Sequence, residues 1–242
     1  MYGRSRHNPP VCLAWDTSTD FGAIAIGRGA RTLATRTFCG PRRHAVEFVP
    51  TLAALCEAQG VTPEDVDHLY VGVGPGSFTG LRIGIAVART LALVSRAKIV
   101  AVPTLQAVAC NALGLADPPE RVAVIIDAHR NHAYAAVYQR AGAEYSQVRG
   151  PAEVSPDSFL ASLDRQTAVV GEGVARFRGA VDASGLRVLP DRLFPPDVEV
   201  VYRLGAQRAG DGGFVGPREL VPQYVRPPEA EETWRPDAPR AR

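Results

Sequence analysis

Val11-Cys12-Leu13-Ala14-Trp15-Asp16 is an apolar run that stops on a carboxylate, turns through four residues and resumes at Phe21–Ile26. The same pattern returns in the second half: Val122–Ile126 stops on Asp127, turns through four residues and resumes at His132–Tyr138. Short apolar runs bounded by turn residues predict buried strands. A third, half-exposed strand follows in each half, at Arg31–Phe38 and Glu144–Val148. In the first half Ala45, Phe48, Val49, Leu52, Leu55 and Cys56 recur on one face of a 3.6-residue period and predict a helix closed by Gly60. Pro50 lies inside it and is expected to bend it or mark its start. A strand at His68–Val73, a helix from about Leu81 to Ser95 and a strand at Ile99–Val102 complete the unit. After a linking helix, Thr104–Leu113, the second half offers a helix at Pro156–Leu163, a strand at Ala168–Val170 and a helix at Val198–Ala209. This weak internal repeat predicts an α/β fold of two tandem βββαβα lobes, the plan of actin-like and sugar-kinase-like proteins. The expected division is a flexible N-terminus at 1–10, lobes at 11–104 and 105–225, and a loose tail at 226–242.

Charge excludes some functions. The sequence has 27 Lys and Arg against 25 Asp and Glu, so no strong field steers it to nucleic acid or membrane. Contact with RNA then has to be local or come through a partner. The cysteines, Cys12, Cys39, Cys56 and Cys110, show no C-x-x-C spacing, which argues against a disulfide framework and for a reducing compartment. Val11–Trp15 is too short for a signal-peptide core, and no apolar run approaches the ~20 residues of a membrane span. A cytoplasmic location is expected.

Gly74-Pro75-Gly76-Ser77-Phe78-Thr79-Gly80 joins a strand to a helix. Ser77 and Thr79 are candidate helix caps, and a helix start can hold an anion. The spacing is neither a Walker pattern nor G-x-G-x-x-G, which favours a tight turn against a neighbouring lobe. The helix behind it carries Gly80, Gly84, Ala88 and Ala92 every four residues, a stripe that admits a close neighbour. Leu81, Ile85, Val87, Leu91 and Val94 cover most other directions, with Arg82 and Arg89 on one edge. Such a helix is buried on more than one side; the second cover is either the first helix or another chain.

Trp15-Asp16-Thr17-Ser18-Thr19, the stretch Gly74 to Gly84, the junction Val102-Pro103-Thr104-Leu105 and the segment Pro222-Gln223-Tyr224-Val225-Arg226 resemble the TsaB (YeaZ) family, over about residues 11–226. The resemblance implies an actin-like ATPase (ribonuclease H-like, ASKHA) fold. It also implies a role as the dimerisation subunit of the bacterial machinery that forms threonylcarbamoyladenosine (t6A) in tRNA. The implied partners are a homologous catalytic subunit, TsaD, and an ATPase, TsaE, with tRNA reached only through the complex and no membrane contact.

The residues argue against an enzyme acting alone. The catalytic homologue carries a His-x-x-x-His pair on its first helix, which can hold a metal; here His44 is followed four residues on by Phe48. The second turn, Asp127-Ala128-His129-Arg130-Asn131, has no glycine to bring backbone N–H groups to a phosphate. His129 and His132 stand where the family shows Arg and Glu. Ser77 has neither the G-x-S-x-G spacing nor a triad order. The expectation is therefore no catalytic residue, no metal and no cofactor. The alternative is a stand-alone actin-fold enzyme, an ATP-dependent small-molecule kinase or a metallopeptidase-like protein. The partner interface is expected on the two helices of the first lobe, at Phe48, Leu52, Leu55, Arg82, Ile85, Ala88, Arg89 and Ala92. Two such helices from each of two chains can form a four-helix bundle, in a homodimer or a heterodimer.

Overall fold

The computed structural model describes residues 8–40 and 43–225. The elements run β1 (Val11–Asp16), β2 (Phe21–Arg28), β3 (Arg31–Cys39), α1 (Arg43–Ala58), β4 (His68–Gly72), α2 (Phe78–Ser95), β5 (Lys98–Val102) and α3 (Thr104–Asn111). They continue with β6 (Arg121–Asp127), β7 (Ala133–Ala141), β8 (Glu144–Val154), α4 (Pro156–Ala161), β9 (Ala168–Val170), α5 (Gly173–Arg176), α6 (Arg178–Ser184), β10 (Arg187–Val188) and α7 (Val198–Gly210). The first sheet has the order β3-β2-β1-β4-β5 and the second β10-β9-β6-β7-β8. Read from the third strand of each half, the two orders are the same, so the repeat seen in sequence is a repeat in space. In each sheet the first three strands form an antiparallel meander and the others join in parallel.

Alternation along β1 buries both faces of the first sheet. Leu13 and Trp15 join Ile24, Ile26, Leu69 and Val71 in a core with Phe48, Leu52 and Leu55 of α1 and Ile85, Ala88 and Ala92 of α2. Trp15 and Phe38 meet Phe48 edge to face, with centroids 5.6 and 6.2 Å apart. Cys12 and Ala14 point the other way, into a second core shared with β6, β7 and β9. Small residues on that face let α7 lie close; a Cβ at Gly205 would fall 2.3 Å from Tyr70 Cγ.

Several sequence expectations change. Pro50 does not start α1, which runs through it from Arg43. α2 begins at Phe78, since Ser77 caps it. β8 extends to Val154, and α5, α6 and β10 are elements that no clear periodicity announced. The lobe division is also different. α7 packs on β1, β4, β5 and β2 of the first sheet, Val215 bridges to Ile99, and Leu220 lies in the first core. The chain thus returns to the first lobe after completing the second. The expected flexible N-terminus is described only from Asn8, and the expected tail at 226–242 lies outside the described residues.

Candidate functional site: the paired turns and the outer face of two helices

Asp16 ends β1 fully buried. Its Oδ1 accepts from the Ser18 amide at 2.8 Å and the Ser18 hydroxyl at 2.5 Å; its Oδ2 accepts from the Thr104 hydroxyl at 2.7 Å. Thr104 Oγ1 accepts in turn from the Gly74 amide at 3.1 Å. A carboxylate satisfied by three donors is a structural anchor tying the first turn to the signature loop and to the junction at α3.

The glycines of that loop are explained by the same turn. A Cβ at Gly76 would lie 2.2 Å from the Ser18 carbonyl oxygen, and one at Gly80 1.9 Å from that of Thr17. The Ser77 amide donates to the Ser18 carbonyl at 2.6 Å, and Thr17 Oγ1 donates to the Gly80 carbonyl at 2.8 Å. The backbone of residues 16–19 occupies the space that Gly76 and Gly80 leave open. Ser77 Oγ accepts from the Gly80 amide at 3.2 Å, the expected cap; Thr79 is exposed and caps nothing.

The second turn faces the first from the other lobe. His129, Arg130 and Asn131 all hold positive φ, at 62°, 48° and 61°, which non-glycine residues adopt rarely. The His129 amide donates to Asp127 Oδ1 at 2.9 Å. His132 Nδ1 lies 3.0 Å from the Arg130 carbonyl and 4.0 Å from Glu153, so the two histidines serve different partners. Arg176 stands 4.0 Å from Asp127. Among the described residues no three His, Cys, Asp or Glu side chains come together as a metal site; the side chain of His44 lies outside them. Glu172, which no sequence pattern singled out, lies within electrostatic reach of both Asp turns. Burial first, and then Asp20, Asp127 and Asp16, push its carboxyl up from 4.5 to about 7. Only a long-range juxtaposition of β9 with the two Asp turns could have revealed it.

The expected interface residues divide into two sets. Phe48, Leu52, Leu55, Ile85, Ala88 and Ala92 are buried inside the lobe. The Gly80/Gly84/Ala88/Ala92 stripe faces β1 rather than a second chain: Trp15 Nε1 donates to the Gly84 carbonyl at 3.3 Å, and Thr17 Oγ1 would meet a Gly84 Cβ. Arg82 and Arg89 hold the C-terminal segment. Arg89 donates to the Leu220 carbonyl at 2.8 Å; the Arg82 guanidinium lies 3.9 Å above the Phe78 ring, which stacks on Tyr224.

What the two helices present outward is a different apolar set. On α1, Val46, Val49, Pro50 and Ala53 are exposed at i, i+3, i+4 and i+7. On α2, Ile83, Val87 and Leu91 are half-buried and continue to exposed Leu93 and Val94. Leu93 is 78% and Val46 72% exposed. An apolar groove of about 680 Å³ lies between Val49, Ala53, Cys56 and Leu91. Monomeric soluble proteins rarely leave large contiguous apolar patches of this kind exposed. By length and composition α2 also passes as a membrane-crossing helix; its inner stripe is taken up by its own sheet.

Two βββαβα lobes with mirrored Asp turns define an actin-like α/β protein. The sequence profile described as TsaD, tRNA N6-adenosine threonylcarbamoyltransferase, matches residues 40–188. The tRNA threonylcarbamoyladenosine biosynthesis protein TsaB of Escherichia coli is 30% identical over 220 residues, covering 88% of this chain and 94% of that protein. TsaB of Bacillus subtilis is 29% identical over 232 residues, covering 92% and 96%. The solved structure of YeaZ from Pseudomonas aeruginosa superposes with a TM-score of 0.77 at 29% identity, covering 89% of this chain and 99% of that one. The chain belongs to the TsaB (YeaZ) family.

Proposed function

We propose that this protein is a non-catalytic, cytoplasmic subunit required for t6A formation in tRNA, and that the outer face of α1 and α2 docks a TsaD-like catalytic homologue. A TsaE-like ATPase joins the assembly, and tRNA is met through the complex. The observation that carries the reading is a pair of outward apolar stripes, exposed at Val46, Val49, Ala53 and Val94 and half-buried at Val87 and Leu91, in a chain of this family. Because the partner shares the fold, the same face serves a homodimer, and the two associations exclude each other. The locked first turn supports the non-catalytic part: Thr17 and Ser18 fill the glycine cradle, and Glu172 feels the charges of Asp16, Asp20 and Asp127, a collection of carboxylates that opposes a phosphate beside the two turns. The test is reconstitution with TsaD-like and TsaE-like partners, tRNA and threonylcarbamoyl-adenylate. Modification is expected only when this chain is present, and Val49→Glu combined with Val94→Glu should abolish it without unfolding the chain. Full turnover without this chain would overturn the reading.

A further inference from the structure

The groove of about 680 Å³ between the two helices is walled by Val49, Ala53 and Cys56 of α1, Val61 and Val66 of the loop that follows, and Leu91 of α2. Glu57 is the one charged residue on it. Such a trough suits a single large aromatic side chain, which removes about 150–250 Å² from water when it is seated.

The described chain ends beside the start of α2. After Val215 bridges to Ile99, the last segment follows the β5 side of that helix. Arg89 donates to the Leu220 carbonyl at 2.8 Å, the Gln223 amide donates to the Val73 carbonyl at 2.7 Å, and Tyr224 stacks on Phe78 with ring centroids 5.6 Å apart. α1 packs on β2 and β3, so α2 stands between this segment and the groove. Crossing α2 takes one helix diameter, about 10–12 Å, and Leu91 lies about 13 Å along the axis from Arg82. Residues 226–234 reach about 30 Å when extended, which exceeds that path.

The sequence beyond Val225 is polar apart from its alanines and prolines, and Trp234 is its one large apolar side chain. Glu229, Glu231 and Glu232 precede Trp234, against Arg226 alone. The helix to be crossed carries Arg82 and Arg89 and no acidic residue. Arg235 follows Trp234, and Glu57 borders the groove. The charges of the segment thus complement those along the path in the same order.

We propose that residues 226–235 fold back over α2 in the same molecule and seat Trp234 in this groove. Pro227-Pro228 favours an extended start, which lowers the ordering cost of the crossing. The seated indole covers part of the face assigned above to the partner. The segment therefore competes with association, a consequence that rests on that docking reading, whereas the seat itself does not.

The experiment is ¹H–¹⁵N correlation spectroscopy on the full chain, whose two tryptophans give two indole N–H signals. Trp234→Phe assigns them. Trp15, buried and bonded to the Gly84 carbonyl, reports the fold in the same spectrum. The Trp234 signal is expected away from its position in the urea-unfolded chain and unmoved by dilution. Ala53→Glu and, as a second variant, Val49→Glu should return it to that position with the Trp15 signal in place. Trp234→Ala should bind a TsaD-like partner about tenfold more tightly, since an occupant present nine-tenths of the time leaves about one-tenth of the chains competent. The seat is overturned if the Trp234 signal of the parent coincides with the unfolded one or if neither groove variant moves it. It is also overturned if dilution moves the signal, which would give the groove to a second copy. A seated Trp234 with unchanged partner affinity in Trp234→Ala overturns the competition and counts against the docking face, not the seat.

Discussion

Gly80 and Thr17 interlock: Thr17 Oγ1 donates to the Gly80 carbonyl at 2.8 Å, while the Thr17 carbonyl oxygen sits 1.9 Å from where a Gly80 Cβ would stand. The contact joins the first turn of β1–β2 to the first turn of α2 and leaves no room for a methyl group. Gly80→Ala is therefore expected to destabilise the chain by about 1–3 kcal/mol, the usual range for overpacking, or more because the obstacle is backbone. Gly114→Ala, which meets nothing within 4 Å, should stay within about 0.5 kcal/mol of the parent, as surface changes do. Urea unfolding of the two variants makes the comparison.

Ala88 and Leu93 lie on the same helix with opposite roles, one fully buried and the other 78% exposed. Ala88→Trp is expected to cost the fold itself, since the interior against β1 has no space for an indole. Leu93→Glu is expected to keep the fold and weaken association by about 1.4 kcal/mol or more, a factor of ten or greater. Circular dichroism and sedimentation velocity, with and without a TsaD-like partner, separate the two. A folded Ala88→Trp monomer that fails to associate would show that the stripe faces a partner after all.

Arg89 holds the C-terminal segment by its bond to the Leu220 carbonyl, and the Gln223 amide donates to the Val73 carbonyl at 2.7 Å. Hydrogen bonds to a charged donor contribute about 1.5–3 kcal/mol. Arg89→Ala should release that segment, so that hydrogen exchange at Gln223 rises by about tenfold or more while the amides of β1 exchange as before. Unchanged protection at Gln223 would mean that the Arg82, Phe78 and Tyr224 stack alone suffices to hold it.

Glu172 gives the stability a pH dependence. Its carboxyl is raised in the folded chain from 4.5 to about 7, so the folded state binds the proton more tightly than the unfolded one. Stability then falls as pH rises from about 4.5 to about 7 and stays lower above it. Glu172→Gln removes the penalty. It should stabilise the chain at pH 8 by about 1–3 kcal/mol, at 1.36 kcal/mol per unit less solvent screening, and have little effect near pH 4.5. Thermal unfolding of parent and variant across that window is the measurement; an equal gain at both ends would assign the effect to packing instead.

Much of the fold was legible because it is written in local patterns. The strand, Asp and four-residue turn repeated at Asp16 and Asp127 gave the meander of each lobe, and the glycines of residues 74–80 marked a contact too close for side chains. α5 and α6 were not legible, since four and seven residues are too few to show a helical period.

The sequence by itself determined the two-lobed plan, the cap at Ser77 and the incompatibility of Phe48 with a metal pair, because each depends on side-chain type and spacing along one segment. Only the tertiary structure decided which face of α1 and α2 is outer. Periodicity shows that a helix has an apolar side, but here both sides are apolar. Their assignment turns on where the Trp15–Ala88 layer sits, with Phe48 inside and Val46 and Leu93 left outside. The same holds for α7, which lies far along the chain from the sheet it covers. It also holds for Glu172, whose surroundings are assembled from segments that no sequence pattern connects.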